Sequence, residues 1–145
     1  MLTVTGANST VKGGITNDAS VLTLTEFNAD MDQGITVCVK ASTQAYNATL
    51  MGTYYGARLD SEPYTAFNTM SFNGAGNATS TELDISGNDP DINVELTYQV
   101  ENNGQLTLGG SVLGAISLDG SVVIYANTDS SGDLALGVLV SRNKL

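Results

Sequence analysis

The sequence predicts an all-β fold: an antiparallel up-and-down meander forming a β-barrel or strongly curved sheet. Three observations carry that prediction. Apolar residues recur with period two almost throughout, turn residues break the pattern every eight to twelve positions or so, and no segment shows a helical period. Leu2–Thr5 and Thr10–Thr16 open the series. Val21–Phe27 alternates Leu22 and Leu24 with threonines, and Gly34–Ala41 alternates Ile35, Val37 and Val39 with smaller or polar residues. Thr49–Leu59, Thr65–Asn73, Thr79–Ile85 and Asn93–Glu101 follow, then Gln105–Leu108, Ser111–Leu118, Ser121–Asn127 and Leu134–Ser141. Asn103-Gly104 and Asp119-Gly120 supply the positive φ that tight primed hairpin turns demand, and Asn73-Gly74 is similar. Short hairpins make sequential strands antiparallel neighbours.

Composition limits the chemistry. At 145 residues the chain has the length of one typical domain, so a single compact unit with a proper core is the expectation. Fifteen acidic residues against five basic ones give a formal charge of −10, a field that repels phosphate backbones and anionic lipid surfaces; nucleic acid is excluded as a partner on that ground. No run of residues reaches the length of an apolar membrane helix, so no membrane insertion is expected. There is no histidine and a single cysteine, Cys38, which removes intrachain disulfides, Ser-His and Cys-His pairs, and thiolate or imidazole zinc sites. Scarce lysine, no tryptophan and abundant Thr, Asn and Gly match extracellular bacterial β-proteins, which predicts a secreted or cell-surface chain, mature or truncated at its start, where no signal peptide is visible.

The most specific signal is an internal repeat of about 101 residues. In one ungapped register Val11, Gly13, Ile15, Asp18, Ser20, Val21, Asp32, Val37 and Val39 recur as Val112, Gly114, Ile116, Asp119, Ser121, Val122, Asp133, Val138 and Val140. Residues 1–42 then read as the second half of a repeat unit, about four strands, and residues 45–145 as a complete unit of about eight. Four strands with an apolar face need that face covered and their edges paired. The half-unit therefore either joins one larger sheet or pairs with another chain, which makes a homo-oligomer through it an expected partner arrangement.

At Gly52-Thr53-Tyr54-Tyr55 the chain resembles the Gly-x-Trp opening of the first strand in lipocalin-like and avidin-like (calycin-type) barrels, with Tyr54 in the Trp position. Strand count and meander order fit an eight-stranded barrel of that kind. The resemblance implies that Arg142, at the end of the last strand, packs over Tyr54 in a cation–π contact, and that the barrel mouth holds a small apolar ligand.

Other candidates come from the residues themselves. Tyr54, Tyr64, Phe67 and Phe72 belong to a cluster of aromatics that could line a ligand pocket or simply fill a core. The acidic loops holding Asp30 and Asp32, and Asp129 and Asp133, are the places where calcium could bind, although their spacing does not match an EF-hand and suits solvated turns. No other cofactor is implied. The Asn88 to Asp91 loop reads as a proline-containing turn. Cys38, whose counterpart is Leu139, is expected in an apolar, buried setting. Acidic residues near strands, Glu26, Glu82, Asp84, Glu95 and Glu101, read as solvated edge charges in preference to a glycosidase pair. The functional expectation is a non-enzymatic extracellular structural or interaction module. The alternatives are lipocalin-like binding of a small apolar ligand and a strand-sharing assembly subunit.

Overall fold

A computed structural model describes residues 2–5, 9–28, 33–40, 42–60, 65–84, 92–128 and 134–144. Among them lie twelve strands: β1 (Leu2–Thr5), β2 (Ser9–Ile15), β3 (Val21–Asn28), β4 (Gln33–Val39), β5 (Met51–Asp60), β6 (Thr65–Asn73), β7 (Asn77–Asp84), β8 (Ile92–Val100), β9 (Gln105–Leu108), β10 (Val112–Ile116), β11 (Val122–Thr128) and β12 (Leu134–Ser141). A single 3₁₀ turn, Asn47–Thr49, precedes β5. The chain forms two compact units, Met1–Lys40 and Ala41–Leu145, where length alone suggests one.

The first unit is a four-stranded antiparallel sheet in the order β1-β2-β3-β4. The second is a closed barrel in which each strand pairs with its neighbour in sequence and β12 closes on β5, from Ala135 opposite Asp60 to Ser141 opposite Tyr54. Of the two shapes the sequence allowed, the closed barrel is therefore the one adopted. Closure leaves no free edge to template aggregation.

Period two places alternate side chains in the barrel. On β6, Ala66, Asn68, Met70 and Phe72 are buried, and on β12 so are Ala135, Gly137, Leu139 and Ser141. At one end, the base, Leu50, Tyr54, Leu106, Ile116, Val123 and Leu139 are fully buried. Phe72 stands edge-on to both Tyr54 and Tyr98, with ring centroids 5.3 and 5.0 Å apart. Such pairs contribute about 0.5–1.5 kcal/mol each beyond their buried area. The buried hydroxyls are satisfied by backbone: Tyr54 donates to Gly120 O, and Tyr98 lies 3.0 Å from both Asn47 O and Leu50 O. Burial pushes the Tyr54 phenol up to about 12, against a smaller opposite pull from the Ser141 hydroxyl. The 3₁₀ turn seals this end, with Val100 N–H donating to Asn47 Oδ1 at 2.8 Å.

Two hairpins, one in each unit, share a single design. In the barrel Ser117 N–H donates to Val122 O, Gly120 N–H to Ser117 O, and Val122 N–H to Ser117 Oγ, while Asp119 Oδ1 accepts from the N–H and hydroxyl of Ser121. In the sheet Thr16, Ala19, Val21, Asp18 and Ser20 make the same bonds at the corresponding positions. The registers correspond as well: Ile116 faces Val123 as Ile15 faces Leu22, and Val122 faces Val140 as Val21 faces Val39. Gly13 and Gly114 also play one part, because a Cβ there would come within 2.0 Å of Thr23 O and 2.3 Å of Ile124 O respectively.

Two expectations need correction. In the turns at Gly74, Gly104 and Gly120 the glycines are left-handed, joined by Gly76 in the first, and Asn73, Asn103 and Asp119 are not. A primed turn needs both central residues at positive φ, so the two-residue turn gives way to a longer one ending in a left-handed glycine. Cys38 is exposed, not buried. Its face of β4 corresponds to the barrel interior around Leu139, but among the described residues the sheet has four strands and no second set to cover that face.

Candidate functional site

The interior of the barrel changes character along its axis. Above the apolar base, the same period-two alternation that points Tyr54 inward carries Gly56 and Arg58 to the inner face of β5. On β6 the next inward residue is Asn68, on β7 they are Ser80 and Glu82, and on β11 Tyr125 and Asn127. Together with Met70, Leu96, Leu108 and Val112 these side chains, from Arg58 onward, line a cavity of about 320 Å³. Its walls are apolar and one side is polar, the composition expected of a small-molecule site, and its volume lies at the lower end of the usual range.

The polar side is a connected network. Arg58 Nη1 lies 3.3 Å from both carboxylate oxygens of Glu82. Asn68 Nδ2 donates to Glu82 Oε2 at 3.4 Å and to the Tyr125 hydroxyl at 3.1 Å, and Ser80 Oγ donates to Asn68 Oδ1 at 3.2 Å. Asn68 and Glu82 are only 2% and 7% exposed. A buried carboxylate persists because the cation and amide beside it replace the lost water, and such a pair is weak evidence for stability as a purpose. Every buried side-chain nitrogen and oxygen among the described residues has a partner. The network thus presents a fixed set of donors and acceptors to whatever enters the cavity.

Tyr125 reaches this place because β12 makes room for it. It pairs across the sheet with Gly137, where a Cβ would sit 2.0 Å from the Tyr125 ring carbon bearing the hydroxyl. The ring lies flat over Gly137, which carries the hydroxyl to Asn68. A wider, more open groove runs outside the base over β6–β8, lined by such residues as Ser71, Asn73, Thr79, Glu95 and Thr97. Buried Phe72 and Ala78 also line it, and among the described residues no comparable network of buried polar side chains does.

The residues singled out from sequence fall in several places. Tyr54 and Phe72 meet, but as core at the base. Phe67 points outward, 40% exposed, with its ring 6.5 Å from that of Tyr55. Arg142 is exposed after β12 and joins the barrel through its backbone, its N–H donating to Thr53 O at 3.3 Å, while the ring beside Tyr54 is that of Phe72. Tyr64, Asp30, Asp32, Asp129, Asp133 and the Asn88 to Asp91 turn lie outside the described residues. Glu82, read as an edge charge, is instead buried in the cavity network. Arg58, Asn68, Ser80 and Tyr125 went unnoticed, although period two counted from Tyr54 reaches Arg58 directly.

Among the described residues no helix is long and apolar enough to cross a membrane. No protein-family model, no curated protein and no solved structure matches this chain.

Proposed function

We propose that the barrel is a non-enzymatic binding module that holds a small, uncharged amphipathic molecule in the cavity beside Arg58, Asn68, Glu82 and Tyr125. The observation that supports this most is the buried polar network on one side of an otherwise apolar cavity. A barrel needing only stability would be served as well by aliphatic side chains at Asn68 and Glu82. The walls at Met70, Leu96, Leu108 and Val112 take the apolar part of the ligand, while Asn68 and Glu82 orient a hydroxyl or amide. The ligand expected from the calycin-type resemblance, wholly apolar, fits the walls but leaves the network unused. The composition, poor in lysine and without histidine, supports an extracellular setting for such a module.

Titration with the neutral fluorophore N-phenyl-1-naphthylamine tests the reading. Saturable enhancement at one probe per chain is expected, abolished in Val112→Trp, which fills the cavity, provided circular dichroism shows an unchanged barrel. Enhancement that survives Val112→Trp would come from another apolar surface and would sink the proposal, as would no enhancement in the parent chain.

A further inference from the structure

We infer that the sheet β1–β4 is half of a second eight-stranded barrel, completed by the same sheet of another copy of this chain. The inference is independent of the cavity.

It starts from the correspondence of β2–β4 with β10–β12, in cross-strand register and in the hydrogen bonds of the shared turn. That correspondence fixes which face of the small sheet is an inner face. Val11, Ile15, Leu22, Leu24 and Cys38 stand where the barrel has Val112, Ile116, Val123, Tyr125 and Leu139. The barrel residues form or pack against its core. In the small sheet Ile15 is 60% exposed, Cys38 is exposed, and Val11, Leu22 and Leu24 are partly exposed.

The barrel also shows what covers such a face. Strand β12 pairs along its far side with β5, the start of a second four-stranded set. Strand β4, its counterpart, is an edge, and so is β1. The one β5–β8 set of this chain is already closed against β9–β12. The four-stranded sheet left over in a second copy is its own β1–β4.

Two such sheets close without conflict. Around the ring β1-β2-β3-β4 followed by the same four strands of the partner, direction alternates at every step because four is even. A two-fold axis along the barrel axis then makes the two new β4–β1 ladders identical and antiparallel. The contact is isologous, so assembly stops at the dimer, and both edges disappear. Strand β1 is the one element that departs from its counterpart: Val11 faces Val4, whereas Val112 faces Leu108 and not Gln105. Its outer neighbour is also the one that differs, β4 of the partner in place of β8.

Light scattering of the full chain over a range of concentrations, combined with thiol labelling and amide exchange, tests this. The expected result is a mass of twice 15.0 kDa. Cys38 should react with Ellman's reagent about tenfold or more slowly in the dimer than after dilution to monomer, and the β4 amides not bonded to β3 should be protected. Leu22→Glu, on the inner face, should return the mass to that of one chain with the barrel's tyrosine circular dichroism intact, while Thr23→Glu, on the other face, leaves the dimer. A monomer throughout overturns the inference. So does a dimer in which Cys38 reacts at full rate or the outer β4 amides exchange freely, since either places the contact elsewhere.

Discussion

The sheet β2–β4 and the barrel strands β10–β12 carry one hairpin architecture in two settings, and they differ at a cross-strand pair beside the cavity. Where the barrel sets Tyr125 opposite Gly137, the sheet sets Leu24 opposite Thr36. The turn, the register and the close-approach glycine are common to both, so they are what the hairpin needs in order to form. The tyrosine over glycine is particular to the barrel, and it is the pair that delivers a hydroxyl to Asn68. What the two hairpins share is architecture, and one of their differences lies at the proposed binding site.

The largest expected effect breaks that pair. Gly137→Ala puts a methyl group into the Tyr125 ring and should cost the barrel about 3 kcal/mol in denaturant unfolding, with loss of probe binding. The matching change in the sheet, Thr36→Ala, should stay within about 0.5 kcal/mol. Equal costs would mean that the pair is not special to the barrel. Next, Arg58→Ala removes the cation beside a buried carboxylate. With the Arg58 side chain 26% exposed, solvent softens the usual penalty to about 1–3 kcal/mol, measured the same way.

The shared turn supplies two smaller effects. Burial is the largest single influence on Asp119 and pushes its carboxyl up, but hydrogen bonds from the Ser121 N–H and from the Ser117 and Ser121 hydroxyls together outweigh it and hold it below the usual range. The Asp18 carboxyl, fully exposed, is held at about 2 by the Thr16 and Ser20 hydroxyls and the Ser20 N–H. Both groups are easier to ionise folded than unfolded. Their contribution is therefore complete above about pH 4, the unfolded value, and is lost as pH falls toward the folded value. Asp119→Ala should lower barrel stability by about 1 kcal/mol at pH 7 and flatten its acid limb below about pH 4. A limb of unchanged slope would remove the turn from the account. Smallest of all, Ala19 is left-handed at φ 56° where its counterpart Gly120 is left-handed at 69°. Ala19→Gly should relieve that strain and stabilise the sheet by up to about 1 kcal/mol, with no change in the barrel.

Much of this fold could be read from the sequence, because the residues that build it act locally. Period two along Val21–Asn28 or Leu134–Ser141 and the glycines at 104 and 120 place all twelve strands within a few residues of where they lie. The site was not legible for a specific reason: both faces of the barrel strands carry apolar side chains. On β5, Tyr55, Ala57 and Leu59 look as core-like as Tyr54, Gly56 and Arg58, and only the closed ring decides which set is inside. With the inner face undecided, Arg58 and Glu82 pass for ordinary surface charges. Cys38 misled in the opposite way, since its counterpart Leu139 is buried by strands that the small sheet does not contain.

Barrel closure also has a kinetic meaning. Every ladder in the barrel except one joins strands adjacent in the chain and can zip up locally. The seam between β5 and β12 joins the first strand of the unit to the last, so its loop entropy is the largest and it should form late and set the folding rate. A barrel shared between two chains would have two seams, both intermolecular. The rate at which they form would then depend on protein concentration, giving the two units of one polypeptide different folding clocks.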